Sequence, residues 1–471
     1  METQKGFISF VGAGPGDTGL VTKKGMQRIN EADVILYDRL ANPRLLRDAK
    51  DSCVFIYCGK LPERHTMRQE KINQLLVQYA RKGYHVVRLK GGDPAVFGRV
   101  GEEAEELAAH HLTFEIIPGI TSSIAAAAYA GIPVTHRDYS TSLTLRTGHT
   151  CQSNAALHED GQLLGDTVAY YMGMKKMLTN CKELIRQGKP ADTKVAIIQW
   201  GTLGKQKVVE GTLETIQTSI EKEHIKSPAM MIVGNVVGLR EKLTWFDNKT
   251  FSGRKILIAN ATGNSFALED YFTERGAEAY SFPILKQNVH TFTKQAFQTI
   301  MAAGRLMFTN AASVDVFFRQ CKQAHYDIRD LPRSIAYQTE EARKALAARG
   351  IVAERAQDSD APAIVLGSQT DARHEQDCYP THEWLVDERF DDIHTRMLSE
   401  DDWETVLFPN KAAVASFIQE LQKRDMEHLL DLQFAYIGES VKEYAIEQGF
   451  CHVDEAVQAE LKRINWRDEH V

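Results

Sequence analysis

The sequence predicts an α/β protein built in two parts, and three observations carry that expectation. From residue 6 to about 236, short β-branched runs alternate with helical patterns, the mark of layered α/β architecture. Near residue 250 the pattern breaks in the polar, turn-rich stretch TWFDNKTFSGRKILIAN, and a new strand begins at Lys255, as expected of a boundary between domains. Behind that break a segment repeats: LMFTNAASVDVFF from Leu306 aligns with VLFPNKAAVASFI from Val406 at a shift of 100 residues.

In the first part the runs FISFV, ADVILY, CVFIYC, HVVRLK, TFEIIP, SLTLRT, TVAYYM, KVAIIQ and PAMMIV read as strands. They exceed the roughly 5–6 strands of an average sheet. Two lobes are therefore expected, with the change between His136 and Ser142. In the second part the repeat continues. IAYQTEEARKALAARGI from Ile335 pairs with FAYIGESVKEYAIEQGF from Phe434 at a shift of 99, keeping Ala-Tyr at the strand end and Gly350 or Gly449 after the helix. Two copies of one strand–loop–helix–strand unit predict two similar α/β lobes. The expected domains are residues 1–248 and 249–471.

A chain of 471 residues is expected to hold two to four units at roughly 100–200 residues each. Apolar residues make up 43% and charged residues 25%, a globular mixture, and no apolar run approaches the ~20 residues of a membrane span. The N-terminus runs from a short polar lead straight into a strand and a glycine turn, without the apolar core of a signal peptide. Seven cysteines lie at positions 53, 58, 151, 181, 321, 378 and 451, with no C-x-x-C pair. They read as reduced thiols of a cytoplasmic protein, and no Cys/His cluster has zinc spacing, so no metal site is expected. A formal charge of −7 argues against a nucleic-acid partner bound over the whole surface.

The residues able to carry chemistry recur at one structural place, the carboxyl ends of strands, where open α/β sheets put their ligand crevice. Gly12, Gly14, Pro15, Gly16 and Asp17 follow the first strand; Asp38 follows VILY, and Lys60 follows VFIYCG. Gly91, Gly92, Asp93 and Pro94 follow VVRLK, Thr121 and Ser122 follow EIIPGI, Met172 follows VAYY, and Gly201 follows IIQW. Each has a plainer reading: Asp38 pairs with Arg39, Lys60 is a solvated charge, and Thr121 to Ser123 cap a helix. A nicotinamide-dependent dehydrogenase is the rival for the first loop. Its dinucleotide fingerprint, however, wants a third glycine where Asp17 stands, and that carboxylate would repel a pyrophosphate.

VGAGPGD, VILYDRL, the Cys58-Gly59-Lys60 strand end, VVRLKGGDPAVFGRVGEEAEEL, PGITSSIAAAAYAGIPVTHR and RTGH, in this order, resemble the uroporphyrinogen-III C-methyltransferases over about residues 5–240. The resemblance implies a two-lobed class III methyltransferase, usually a homodimer, that holds S-adenosyl-L-methionine in the cleft between lobes. It implies two methylations of uroporphyrinogen III to precorrin-2, the branch point toward sirohaem and corrinoids. Carried over by position, Pro15, Gly91, Gly92, Asp93, Val96, Thr121, Ser122, Met172 and Gly201 would contact S-adenosylmethionine. Asp38 matches the family's proton acceptor and Lys60 its proton donor, and Arg39, Arg64, Arg68, Arg99, Arg137 and Arg146 stand on or near the same loops, where cations would meet the substrate's carboxylates.

The C-terminal part, through GRKILIANATGNSFALEDYFTERGAEAYSFPIL and the two repeat segments, resembles uroporphyrinogen-III synthase, a two-lobed enzyme that cyclises hydroxymethylbilane. It departs from that family at Asn260 to Asn264, at Thr309-Asn310 and at Gly367-Ser368-Gln369, where the family's arginine, serine and proline–arginine–glycine positions are lost. The expectation is a synthase-like fold with little ring-closing activity. The alternatives are a true bifunctional enzyme and a tetrapyrrole-holding module.

Overall fold

The alternating strands and helices of the first 240 residues build two sheets. The computed structural model describes residues 6–59, 68–148, 164–264, 266–356, 363–369 and 378–464. The chain divides into two units, Met1–Lys255 with Asp270–Ala279, and Ile256–Glu269 with Tyr280–Val471.

In the first unit, β1 (Phe7–Gly12), β2 (Val34–Tyr37), β3 (Val54–Tyr57), β4 (His85–Lys90) and β5 (Thr113–Ile117) form a sheet in the order β3-β2-β4-β1-β5. All of its pairings are parallel. The crossovers run through α1 (Lys23–Glu31), α2 (Gln69–Arg81) and α3 (Val100–Ala109), and α4 (Ser122–Tyr129) leaves β5. Parallel strands are covered on both faces and read as nearly continuous apolar runs. Accordingly Ile8, Phe10, Val34, Leu36 and Val86 pack on Leu76 and Leu107.

The second sheet takes β6 (Leu143–Thr147), β7 (Thr167–Tyr171), β8 (Lys194–Gln199), β9 (Lys207–Thr212) and β10 (Ala229–Val233) in the order β6-β7-β10-β8-β9. Only β6 and β7 pair in parallel there. The switch from one sheet to the other falls between Ile117 and Leu143, across the expected stretch. β9 was not among the strands read from the sequence. It is an edge strand with one fully buried side chain, Val209, and so lacks the apolar run that marks its neighbours. The alanine-rich α4 crosses to this second sheet: Ala126, Ala127 and Ala130 pack against Ala169, Ala196, Ile198 and Ile232. Small side chains on both sides let the backbones come close. α5 (Met177–Arg186), α6 (Ile216–Lys222) and α7 (Arg240–Leu243) complete the unit.

The second unit carries the repeat. β11 (Lys255–Ala259), β12 (Glu278–Phe282), β19 (Thr405–Phe408) and β20 (Gln433–Tyr436) form one sheet in the order β12-β11-β19-β20. β13 (Leu285–Val289), β14 (Arg305–Phe308), β15 (Ser334–Tyr337), β16 (Glu354–Arg355), β17 (Ile364–Ser368) and β18 (Cys378–Val386) form another, in the order β13-β18-β17-β14-β15-β16. Each sheet holds one copy of the repeat. In one, β14 and β15 pair in parallel, followed by α8 (Ala311–Gln323) and α9 (Glu340–Ala347) respectively; in the other, β19 and β20 do so, with α10 (Lys411–Gln422) and α11 (Glu439–Glu447).

The copies agree in detail. Asn310 Oδ1 accepts from Ser313 N at 2.8 Å and Asn410 Oδ1 from Ala413 N at 2.9 Å, each capping its helix, a bond that contributes about 1 kcal/mol. Phe308 meets Phe317 edge-on at 5.6 Å, and Phe408 meets Phe417 likewise at 5.8 Å. Gly350 and Gly449 end their helices with φ of +75° and +103°, the left-handed region that favours glycine. No helix among the described residues is long and apolar enough to cross a membrane.

Candidate active site

The loop after β1 is bonded to the loop after β4. Ala13 N donates to Lys90 O at 2.8 Å; Gly14 N donates to Gly92 O at 3.2 Å, and Gly92 N to Gly14 O at 2.7 Å. Gly14 and Gly92 have φ of +74° and +69°, so glycine is what the close approach requires. A Cβ on Gly92 would have Ser122 N and Thr121 Cα as its nearest neighbours, both at 3.9 Å, whereas one on Gly91 would press on Leu40 at 3.0 Å. Gly92 therefore faces open space beside the start of α4, and Gly91 makes room for the loop after β2.

Asp93 fastens a third loop. Its Oδ1 accepts from Ala95 N at 2.7 Å and its Oδ2 from Gly119 N at 3.0 Å, tying the end of β4 to the end of β5. Each oxygen keeps a further lone pair. Thr121 stands at the N-cap of α4, but its side chain makes no capping bond. Its hydroxyl lies 2.6 Å from Tyr171 Oη instead, and Tyr171 also bonds Ser123 Oγ at 2.8 Å. The plain helix-cap reading of Thr121 thus gives way to a link between the two sheets. Met172 follows, 53% exposed, and a Cβ on Gly201 would reach Ala126 of α4 at 2.4 Å. Pro15, Val96 and Ser122 are half-buried in the same set of loops.

Asp17 joins the sheets a second time. Its Oδ2 accepts from Tyr129 Oη at 2.6 Å, its Oδ1 from Gly19 N at 2.8 Å, and its own N–H donates to Thr202 Oγ1 at 3.0 Å. Burial, followed by the bond to Asp17, raises the Tyr129 pKa above the ordinary tyrosine value. Between Gly16 and α1 lies a short 3-10 turn, Thr18–Leu20, and α1 has its own cap in Thr22. The glycine turn therefore does not open directly into a helix N-terminus, as the dinucleotide fingerprint requires.

Backbone strain collects here as well. Phe97, Arg99, Met172, Trp200 and Thr202 all have positive φ, between +48° and +74°, each costing of order 1–3 kcal/mol where nothing compensates. Phe97 is additionally held by the Tyr171 ring at 4.9 Å.

Asp38, at the end of β2, is partly exposed, and its Oδ1 accepts from Arg88 Nη2 at 2.6 Å. Arg88 is buried in β4; its charge is opposed by burial, but Asp38 and Glu103 overcome this and raise its pKa. Glu103, fully buried in α3, also takes Lys90 Nζ at 3.0 Å and Gln69 Nε2 at 2.9 Å. Cys58 sits beside this group, its thiol pushed up to about 11 by burial, and stays neutral. Arg39, Arg68, Arg99 and Arg137 are exposed, Arg99 pairing with Glu102 at 2.5 Å, while Arg146 contacts Tyr170 Oη at 3.5 Å. Lys60 and Arg64 lie outside the described residues.

Sequence reasoning missed Arg88, Glu103, Tyr129, Tyr171 and Thr202. One signal was present: HVVRLK puts two cations at alternate positions of a central parallel strand, on one face, where such strands are otherwise apolar.

The family model of tetrapyrrole (corrin/porphyrin) methylases matches residues 8–217, which places the first unit in the methylase class. A uroporphyrinogen-III C-methyltransferase of Bacillus subtilis (strain 168) is 41% identical over 426 residues, 89% of this chain and 88% of the relative. Another, of Priestia megaterium, is 54% identical over 234 residues, 49% of this chain and 98% of its own length. Among solved structures, uroporphyrin-III C-methyltransferase from Thermus thermophilus is 34% identical with a TM-score of 0.44, covering 52% of this chain and 98% of that one. The chain belongs to the uroporphyrinogen-III C-methyltransferase family.

Proposed function

We propose that the chain methylates uroporphyrinogen III at two pyrrole carbons with S-adenosylmethionine, giving precorrin-2. The reading is supported above all by the strand-end loops bearing Asp38, Gly92, Asp93, Thr121 and Met172, in a chain 41% identical over 426 residues to a relative named for this activity. Pro15, Gly91, Gly92, Asp93, Val96, Thr121, Ser122, Met172 and Gly201 would hold S-adenosylmethionine. The space in front of Gly92, where no described residue beyond its chain neighbours comes nearer than 3.9 Å to its Cβ position, fits a ligand that approaches the backbone closely. When bound, that group supplies an electrophilic methyl.

The chain's own part is alignment and proton handling. Holding the tetrapyrrole against the cleft lowers the entropic cost of reaction. Asp38 Oδ accepts the proton that the tetrapyrrole gives up, and Lys60 returns one. Exposed cations, Arg39, Arg68, Arg99 and Arg137, offset the substrate's carboxylates. The chain acts as a cytoplasmic homodimer through residues 1–248, and residues 249–471 form a synthase-like domain without strong ring-closing activity. In that half, Asn310 and Asn410 use their side chains to cap helices, and Thr309 is buried at 4% exposure, so these strand ends serve the scaffold.

Purified chain supplied with uroporphyrinogen III and S-adenosylmethionine without oxygen should yield precorrin-2 and S-adenosylhomocysteine. Folded protein that consumes neither substrate would refute the reading.

A further inference from the structure

The charges beneath Asp38 are placed where a core is least tolerant of them. Arg88 and Lys90 occupy consecutive inward positions of the central strand β4, with side chains 3% and 5% exposed, and Glu103 reaches them from α3 with its side chain at 0%. Burying such groups is unfavourable unless they are paired, and an apolar replacement of the whole set is often as stable or more so. Stability alone therefore does not account for them.

Their geometry has a direction. Glu103 Oε1 takes Lys90 Nζ at 3.0 Å, Gln69 Nε2 at 2.9 Å and Arg88 at 3.4 Å. Arg88 is further held by Leu36 O and Leu89 O, each at 3.5 Å. Its Nη2 then reaches Asp38 Oδ1 at 2.6 Å. Asp38, with 32% of its side chain exposed, opens to solvent at the end of β2.

We propose that Arg88, clamped by Glu103, is the positioning residue for Asp38, fixing one carboxylate oxygen so that the other faces the tetrapyrrole as a charged proton acceptor. The inference rests on the proton-acceptor reading of Asp38. Among the described residues, the charged and titratable groups around Asp38 include Arg88 and Lys90 from β4, Glu103 from α3 and the Cys58 thiol from the end of β3. Burial, then Arg88, lowers the Lys90 pKa, so Arg88 is the firmer cation of the two. Without it, Asp38 would lose its nearest positive charge and the bond that fixes its Oδ1.

The test is kcat and KM for uroporphyrinogen III in Arg88→Met, Arg88→Lys, Glu103→Gln and Asp38→Asn, with S-adenosylhomocysteine affinity measured by calorimetry in each. Arg88→Met should lower kcat about tenfold or more with KM for uroporphyrinogen III little changed. Arg88→Lys should recover part of kcat; Glu103→Gln should lower kcat less than Arg88→Met. A folded Arg88→Met enzyme with wild-type kcat overturns the proposal. If Arg88→Met does not fold, an Arg88→Lys enzyme with wild-type kcat overturns it equally, because a lysine cannot reproduce the guanidinium's several bonds. Should Asp38→Asn keep wild-type kcat, the proton-acceptor reading itself fails; should it be inactive while Arg88→Met keeps wild-type kcat, only the positioning role fails.

Discussion

Tyr171 Oη lies 2.6 Å from Thr121 Oγ1 and 2.8 Å from Ser123 Oγ, so one phenol at the end of β7 holds the start of α4 against the second sheet. Tyr171→Phe leaves both hydroxyls short of a partner, a loss of about 1–3 kcal/mol. The expected outcome is a melting temperature lower by roughly 2–12 °C, with S-adenosylmethionine bound several-fold more weakly. Calorimetry showing both unchanged would mean that the link does not organise the cleft.

Gly92 combines a φ of +69° with open space in front of its missing side chain. Gly92→Val brings backbone strain of about 1–3 kcal/mol and puts two methyl groups where the ligand is proposed to sit. S-adenosylmethionine binding should be lost while the circular dichroism spectrum is retained. Undiminished affinity in a folded variant would remove the loop after β4 from the binding site.

Away from the cleft, Glu115 on β5 sits between Arg28 at 2.6 Å and Lys24 at 2.6 Å, with Ser9 donating from 3.0 Å. Burial opposes its charge, but the bonds from Arg28, Lys24 and Ser9 prevail and hold the carboxyl at about 2. A carboxyl depressed in the folded state adds stability above its unfolded pKa and loses it as pH falls toward the folded value. Glu115→Gln should therefore melt earlier than wild type at pH 7, with the gap closing from about pH 5 toward pH 2. A gap that is constant with pH would show that the charge is not what stabilises this site.

For the C-terminal half, the intact chain should convert hydroxymethylbilane to uroporphyrinogen III no faster than the spontaneous reaction forms the uninverted ring. Asn310 and Asn410 illustrate why: both oxygens are already taken by helix N–H groups. Brisk formation of the inverted isomer would make the protein bifunctional.

The parts of the fold that could be read from the sequence are those fixed by local chemistry. Strand ends announced themselves through Gly14, Gly92 and Asp93, because tight turns and close backbone approach need those residue types. The repeat was visible since Phe308 and Phe408, Phe317 and Phe417, and the two capping asparagines occupy matching places in matching cores. What stayed hidden depends on distant partners. Tyr170 and Tyr171 are indistinguishable in TVAYYM, yet Tyr170 packs inside the second sheet's core and Tyr171 turns toward α4. Asp38 invited pairing with its neighbour Arg39, whereas the bond at 2.6 Å comes from Arg88, 50 residues away. β9 escaped notice as an edge strand, with little burial to enforce an apolar pattern.

The proposed reaction is carbon methylation with Asp38 handling the proton. Its most direct measurement is a mass-spectrometric count of methyl groups transferred from isotopically labelled S-adenosylmethionine to uroporphyrinogen III, run in parallel with wild type and Asp38→Ala. Two labels should appear on ring carbons with the wild-type chain. Asp38→Ala should slow their transfer by about 100-fold or more while binding S-adenosylmethionine as tightly as wild type. Absence of label on the tetrapyrrole, or an Asp38→Ala variant that transfers at the wild-type rate, would contradict it.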